Sequence, residues 1–99
     1  MPLSPDRKKQ YRSLGHNLSP VVTVAGNGLS DAVLEELNRA LNDHELIKVK
    51  LVVADRDLRQ QLIAEMATKL KAEIIQEIGK IALIFRESKK PNLKLSNIR

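Results

Sequence analysis

Residues 21–34, with the sequence VVTVAGNGLSDAVL, contain the turn from which the fold can be worked out. The β-branched run 21–24 is typical of a strand, and the apolar spacing of residues 29–41 is typical of an amphipathic helix. Residues 25–28, AGNG, predict a glycine turn between them. A strand that turns into a helix start presents backbone N–H groups and the positive end of the helix dipole at one place. The turn therefore suits a phosphate oxygen, although many glycine turns serve only to reverse the chain.

The charge of the chain favours a negatively charged partner. Its 99 residues include 17 Lys and Arg against 12 Asp and Glu, which gives a net charge of +5 and a pI near 9.8. Such a surplus is typical of proteins that bind nucleic acid. There is no cysteine, which excludes disulfides and thiolate metal sites and predicts a cytoplasmic location. We expect no secretory signal and no membrane partner, since residues 1–10 are polar and no apolar run approaches ~18 residues.

Periodicity and turn residues predict the remaining elements. Helices are expected over residues 4–18, 29–41 and 55–70, and strands over residues 21–24, 46–53, 73–78 and 81–86. The order α-β-α-β-α-β-β, with a tight Gly79-Lys80 turn between the last two strands, predicts a single α/β domain. Its sheet is expected to be mixed and four-stranded, packed with helices. Residues 1–88 would form this domain, and residues 89–99 a basic, mobile tail.

Basic side chains recur at two places in this pattern. In the second strand the apolar residues alternate onto one face, which leaves Lys48 and Lys50 together on the other. The first helix has a basic surface of its own, formed by Arg7, Lys8, Lys9 and Arg12. Either set is an ordinary solvated surface or a group of phosphate contacts, and the second interpretation requires that the sets converge with the glycine turn.

The residues that enzymes and cofactor sites require are missing. The glycine turn lacks the Lys-Ser/Thr pair of a Walker loop and the third glycine of a dinucleotide site. His16 and His44 lie on different elements, so no metal site is predicted. Asp55 and Asp57 are interpreted as helix caps, and Asp57 with Gln60 resembles a capping box. We therefore predict no catalysis, no cofactor and no small-molecule substrate.

Only two aromatic rings, those of Tyr11 and Phe85, are available for stacking on bases. Modules that bind single strands by stacking need more aromatic platforms than this. Recognition of the nucleic-acid backbone and shape is therefore favoured.

Three ordered blocks resemble the CRM domain in its stand-alone bacterial, YhbY-like form. They are VVTVAGNGLS (residues 21–30), HELIKVK (residues 44–50) and the segment from IGK (residues 78–80) to FR (residues 85–86). The resemblance implies a fold like the C-terminal domain of translation initiation factor 3. It also implies an RNA-binding role with a KH-like GxxG loop, in assembly of the large ribosomal subunit. Ala25 stands where that loop has its first glycine, and we interpret this position as permissive.

The predicted function is therefore non-catalytic binding of RNA, with ribosomal RNA of large-subunit precursors as the partner. An alternative is a protein-interaction module that docks an acidic protein, in which the glycine turn has no ligand; DNA binding is a third option. The resemblance implies roles for the basic strand positions and for the last hairpin. The full set of predicted RNA-binding residues is Gly26, Asn27, Gly28, Arg7, Lys8, Lys9, Arg12, Lys48, Lys50, Lys80 and Arg86.

Overall fold

In the part of the chain that the structure describes, three helices and four strands follow one another in the predicted order. The structure, a computed structural model, describes residues 3–25 and 28–99. The elements are α1 (Pro5–Gly15), β1 (Pro20–Val24), α2 (Asp31–His44), β2 (Leu46–Leu51), α3 (Arg56–Leu70), β3 (Glu73–Ile78) and β4 (Ile81–Phe85).

The sheet has the strand order β1-β2-β4-β3. β1 and β2 are parallel, because α2 carries the chain back across the sheet between them. The other two pairs, β2 with β4 and β3 with β4, are antiparallel. Gly79, with φ +56°, turns β3 into β4. The predicted mixed four-stranded sheet is thus confirmed.

The two faces of the sheet are covered to different extents. α2 and α3 lie on one face and form the larger core with it, which includes Leu37, Val49, Met66 and Ile84. On the other face α1 covers a smaller cluster, formed by Tyr11, Leu46, Ile75, Leu83 and Phe85. α1 ends at Gly15, and it lies so close to the sheet that a Cβ there would be 2.5 Å from Leu83 Cδ2. The sheet beyond that point has no helix over it in the described part of the chain.

The end of α1 and both ends of α2 differ from the predictions, and α2 begins at Asp31 rather than residue 29. α1 ends at Gly15 rather than residue 18, and residues 16–17 form a turn. α2 continues to His44, three residues beyond its predicted end at residue 41. The break comes at Glu45, whose φ of +64° is incompatible with a continuing helix.

The start of α3 and the ends of two strands also differ. Asp55, not Asp57, is the N-cap of α3, because its carboxylate accepts the backbone N–H groups of Asp57 and Leu58. β2 ends at Leu51 and β4 at Phe85, before the predicted residues 53 and 86. Ser4 and Ser30 are the N-caps of α1 and α2, because their hydroxyl oxygens accept the Arg7 and Val33 N–H groups.

The C-terminal segment lies against the junction of α2 and β2. The Asn97 N–H donates to the His44 carbonyl at 2.9 Å, and the Asn97 amide donates to the Leu46 carbonyl at 2.7 Å. Ile98 packs on the smaller cluster below α1. The mobility expected of residues 89–99 stays a prediction. A mobile tail would have to break these hydrogen bonds and the packing of Ile98.

Candidate nucleic-acid interface

The glycine turn is closed by a backbone hydrogen bond. The Gly28 N–H donates to the Ala25 carbonyl at 3.0 Å, and Gly28 has φ +88°, which favours glycine. Among the described non-glycine residues only Glu45 and Lys71 have positive φ, so Ala25 has no such strain. This agrees with its interpretation as a permissive position. Gly26 and Asn27 lie outside the described residues.

The helix start after the turn is partly neutralised by the chain itself. Ser30 Oγ accepts the Val33 N–H at 3.2 Å, and Asp31 lies in the first turn of α2. Because a carboxylate there already offsets the positive end of the helix dipole, the dipole attracts an external phosphate less strongly. A phosphate at the turn therefore needs cations from other elements.

Strand pairing brings the second predicted turn to the same end of the sheet. Parallel strands end together, and the Val52 N–H donates to the Val24 carbonyl at 2.8 Å. The Leu51 N–H donates to the Lys80 carbonyl at 2.7 Å. Ala25, Gly28 and the exposed Lys80 therefore flank one end of the sheet, which we call the turn end.

Lys48 and Lys50 approach the turn end along the half-open face of the sheet. The predicted alternation of β2 is confirmed, since Ile47, Val49 and Leu51 are buried on the opposite face. Lys50 is exposed, and Lys48 is half-buried.

Helix α1 extends the basic surface. Lys8, Arg12 and His16 are spaced four residues apart and therefore lie along one flank of the helix. At the end of this flank His16 and Lys48 line the same cavity of about 150 Å³. Lys9 is exposed beside that flank. We call the surface formed by Lys8, Lys9, Arg12, Lys48, Lys50, Lys80 and Gly28 the basic band.

Arg7 and Arg86 lie apart from the basic band. Both line a cavity of about 500 Å³ at the opposite end of the sheet, together with Phe85 and Glu73. The Arg7 guanidinium donates to the Tyr11 hydroxyl at 3.1 Å. Contact of Arg7 with RNA stays a prediction.

Arg86 has structural partners. Its guanidinium donates to the Leu70 carbonyl at 3.0 Å, the Asn38 carbonyl at 3.1 Å and Asn42 Oδ1 at 2.9 Å, which ties β4 to the ends of α2 and α3. Partial burial lowers the pKa of Arg86 from its ordinary value. Contact of Arg86 with RNA stays a prediction as well, and these bonds give the side chain a role in the fold.

Two arginines at the turn end, Arg56 and Arg59, were not among the predicted RNA-binding residues. Arg56 is exposed at the start of α3 and lines a cavity of about 280 Å³ with Arg59, Glu77 and Gly79. Its proximity to Gly79 follows from the packing of α3 beside the β3–β4 turn, and no local pattern indicates it. Arg59 donates to the Val53 carbonyl at 2.8 Å, so it also has a structural partner.

The buried carboxylate of Glu45 was missed entirely. Its side chain is fully buried and accepts hydrogen bonds from the Ser88 N–H, the Ser96 hydroxyl and the Arg99 guanidinium, the shortest being 2.7 Å from Arg99 Nε. The hydrogen bond from Arg99 lowers the pKa of Glu45 and outweighs the opposing effect of burial. A lone Glu between a helix and a strand gives no local signal of this cluster.

Other kinds of site find little support in the described residues. Both aromatic rings are buried and pack on each other with centroids 4.8 Å apart, so neither can stack on a base. Within residues 3–25 and 28–99, no three metal-ligating side chains come together. None of the helices that the structure describes has the length and apolarity needed to cross a membrane.

Comparison with known proteins assigns the family. The chain matches the CRS1/YhbY (CRM) domain over residues 3–86. The chain belongs to the CRM domain family. This confirms the resemblance of the three sequence blocks, and the match covers every helix and strand of the fold.

Relatives of this CRM domain span nearly its whole length. A Pseudomonas aeruginosa protein, named a probable RNA-binding protein, is 54% identical over 98 residues, which are 99% of this chain and 94% of the relative. A Haemophilus influenzae protein named an RNA-binding protein is 43% identical over 94% of both chains. The solution structure of a Staphylococcus aureus protein, a candidate RNA-binding protein, matches with a TM-score of 0.79 and 29% identity over 90% of this chain and 93% of the other.

Proposed function

We propose that this CRM domain binds structured RNA without catalysis, and that its RNA is ribosomal RNA in precursors of the large subunit, in the cytoplasm. One observation supports RNA binding most strongly. Lys48 and Lys50 share the half-open face of the sheet, Lys48 lines one cavity with His16 at the end of α1, and Lys80 and Gly28 lie at the end of the sheet to which that face leads. The names of the relatives support the same class of partner.

The chemistry of the basic band favours contact with phosphates. Lysine ammonium groups bind phosphate oxygens as point charges, whatever the base sequence. Because Gly28 has no side chain, its backbone can approach an RNA strand closely. For about five phosphate contacts, the logarithm of affinity should fall with the logarithm of salt concentration with a slope of about −3.5 to −4.5.

Sedimentation of cell extracts tests the proposed RNA. In a low-salt gradient the protein should sediment with large-subunit precursors, and it should leave them as salt is raised. Sequencing of RNA crosslinked to the protein in cells should then identify ribosomal RNA. If the protein remains at the top of the gradient at every salt concentration, ribosome assembly is the wrong process. If RNase treatment leaves it bound to an acidic protein, the alternative of a protein-interaction module is correct.

A further inference from the structure

We infer that the cavity beside His16 holds one unpaired nucleobase of the bound RNA. The inference rests on the proposed RNA binding and adds a subsite to it. The cavity is lined by His16, Lys48, Gln76, Ile78, Ile81 and Leu83.

The cavity exists because α1 is short. The close approach of Gly15 to Leu83 fixes where the helix ends, and the remaining part of this sheet face has no helical cover in the described residues. Ile78 is consequently 59% exposed, although its partner across the hairpin, Ile81, is half-buried. An apolar floor at an open edge of the basic band is therefore available to a ligand.

The walls combine an apolar floor with polar groups at the rim. The flat face of a base can pack on the apolar side chains of Ile78, Ile81 and Leu83. In other RNA-binding modules an aromatic ring covers this face. Gln76 has an amide that both donates and accepts, as the edge of a base requires. The His16 imidazole is a ring of the kind on which RNA bases stack.

Size and charge select the occupant. At about 150 Å³ the cavity is smaller than the 300–1,000 Å³ typical of small-molecule sites, so it suits one planar group rather than a whole cofactor. No carboxylate lines it among the described residues, and Lys48 is part of its wall. Lys50 lies two residues further along the same strand face. A flat apolar group attached to negative charges matches this combination, and a nucleotide within an RNA strand is such a group.

This occupancy has a consequence for the RNA. A base inside a double helix is paired and stacked, so only a bulged, looped or single-stranded base can enter the cavity. The protein should therefore prefer RNA that offers an unpaired base next to a duplex whose phosphates contact the basic band.

The test compares three RNAs that differ at one position. The first is a plain duplex, the second has one unpaired nucleotide, and the third has an abasic residue at that nucleotide. Wild-type protein should bind the second about tenfold more tightly than the third. Gln76→Ala and Ile78→Ala should each remove this preference while keeping the affinity for the plain duplex. Leu93→Ala, which also truncates an exposed apolar side chain, should retain it.

The outcomes separate this inference from the function on which it rests. Equal affinity of the wild-type protein for the unpaired and abasic RNAs overturns the base site and leaves RNA binding intact. A preference that survives both Gln76→Ala and Ile78→Ala also overturns it. Failure to bind any of the three RNAs contradicts the proposed function itself. Loss of a protein partner on Ile78→Ala, without any effect of the abasic residue, would make the cavity a protein-docking site.

Discussion

Gly28 has two proposed roles, which substitutions can separate. It allows the positive φ that the turn needs, and it brings the turn close to RNA. Its φ of +88° makes any side chain costly, by about 1 kcal/mol, although a Cβ would be 3.7 Å from Leu62 Cδ2 and would fit. Gly28→Asp and Gly28→Asn have nearly the same shape and share this backbone cost, and they differ in charge.

We expect Gly28→Asp to bind RNA more weakly than Gly28→Asn, while the two variants melt at similar temperatures. The reason is repulsion between the added carboxylate and a phosphate at the turn. Titration of a labelled RNA hairpin, with thermal melting in parallel, measures both effects. Equal affinity of the two variants would place the turn outside the RNA-binding surface.

Glu45 predicts a pH dependence of stability. Because the pKa of Glu45 in the folded protein lies below its ordinary value of 4.5, its ionised form stabilises the fold above that value. This contribution is lost as the pH falls through the lowered pKa. Glu45→Gln should therefore melt at a lower temperature than wild type near neutral pH, and the difference should shrink in acid.

A matched control removes a carboxylate that has little influence. Glu65 forms an exposed pair with Lys69 at 2.9 Å, and exposed pairs of this type contribute little to stability. Glu65→Gln should follow the wild-type melting temperature across the same pH range. If Glu45→Gln behaves in the same way, the buried carboxylate does not contribute to acid sensitivity.

At the scale of the elements, β2 allows a direct test of the basic band. Lys48→Ala with Lys50→Ala should weaken RNA binding and reduce the salt slope by about one unit for each lost phosphate contact. Stability should change little, because Lys50 is exposed and Lys48 is half-buried.

The control pair Lys89→Ala with Lys90→Ala removes the same charge from two exposed residues that follow β4 at the other end of the sheet. It should leave most of the affinity and of the salt slope unchanged. Equal losses in the two double variants would mean that total charge, and not the basic band, determines binding.

Local patterns predicted the elements well where local chemistry decides them. Ser4 and Ser30 cap their helices as their positions indicate, and alternation along β2 gave its buried face. The predicted end of α2 was wrong because the end depends on a contact with a residue far away in the sequence. Asn42 looks like a helix breaker, but it accepts a hydrogen bond from Arg86, which lies 44 residues away in the chain.

At the scale of the whole molecule, the proposed site depends on strand order. The residues of the basic band were predicted, but their positions relative to one another were not. Lys80 reaches the turn end only because β4 pairs with β2. The same pairing moves Arg86 to the far end of the sheet, away from the residues with which it was grouped. The double variant Lys48→Ala with Lys50→Ala, compared with its control pair, tests whether the basic band contacts RNA.

The C-terminal segment offers a test at this scale. A chain that ends at Ser88 keeps every helix and strand but removes Ser96 and Arg99, two of the partners of the buried Glu45 carboxylate. We expect this shorter chain to melt at a lower temperature than the full chain, because a buried charge without its partners is costly. Combining the truncation with Glu45→Gln should recover part of the loss. A melting temperature unaffected by truncation would show that residues 89–99 are mobile in solution, as the sequence predicted.

The strand order β1-β2-β4-β3 also governs how the chain acquires its fold during synthesis. β4 is the last strand to be made, yet it lies in the middle of the sheet, between β2 and β3. Until it leaves the ribosome, β2 has only β1 beside it, and its other edge remains unpaired. The nascent chain therefore cannot complete its core one element at a time from the N-terminus, and the final cooperative step must await residues 81–85.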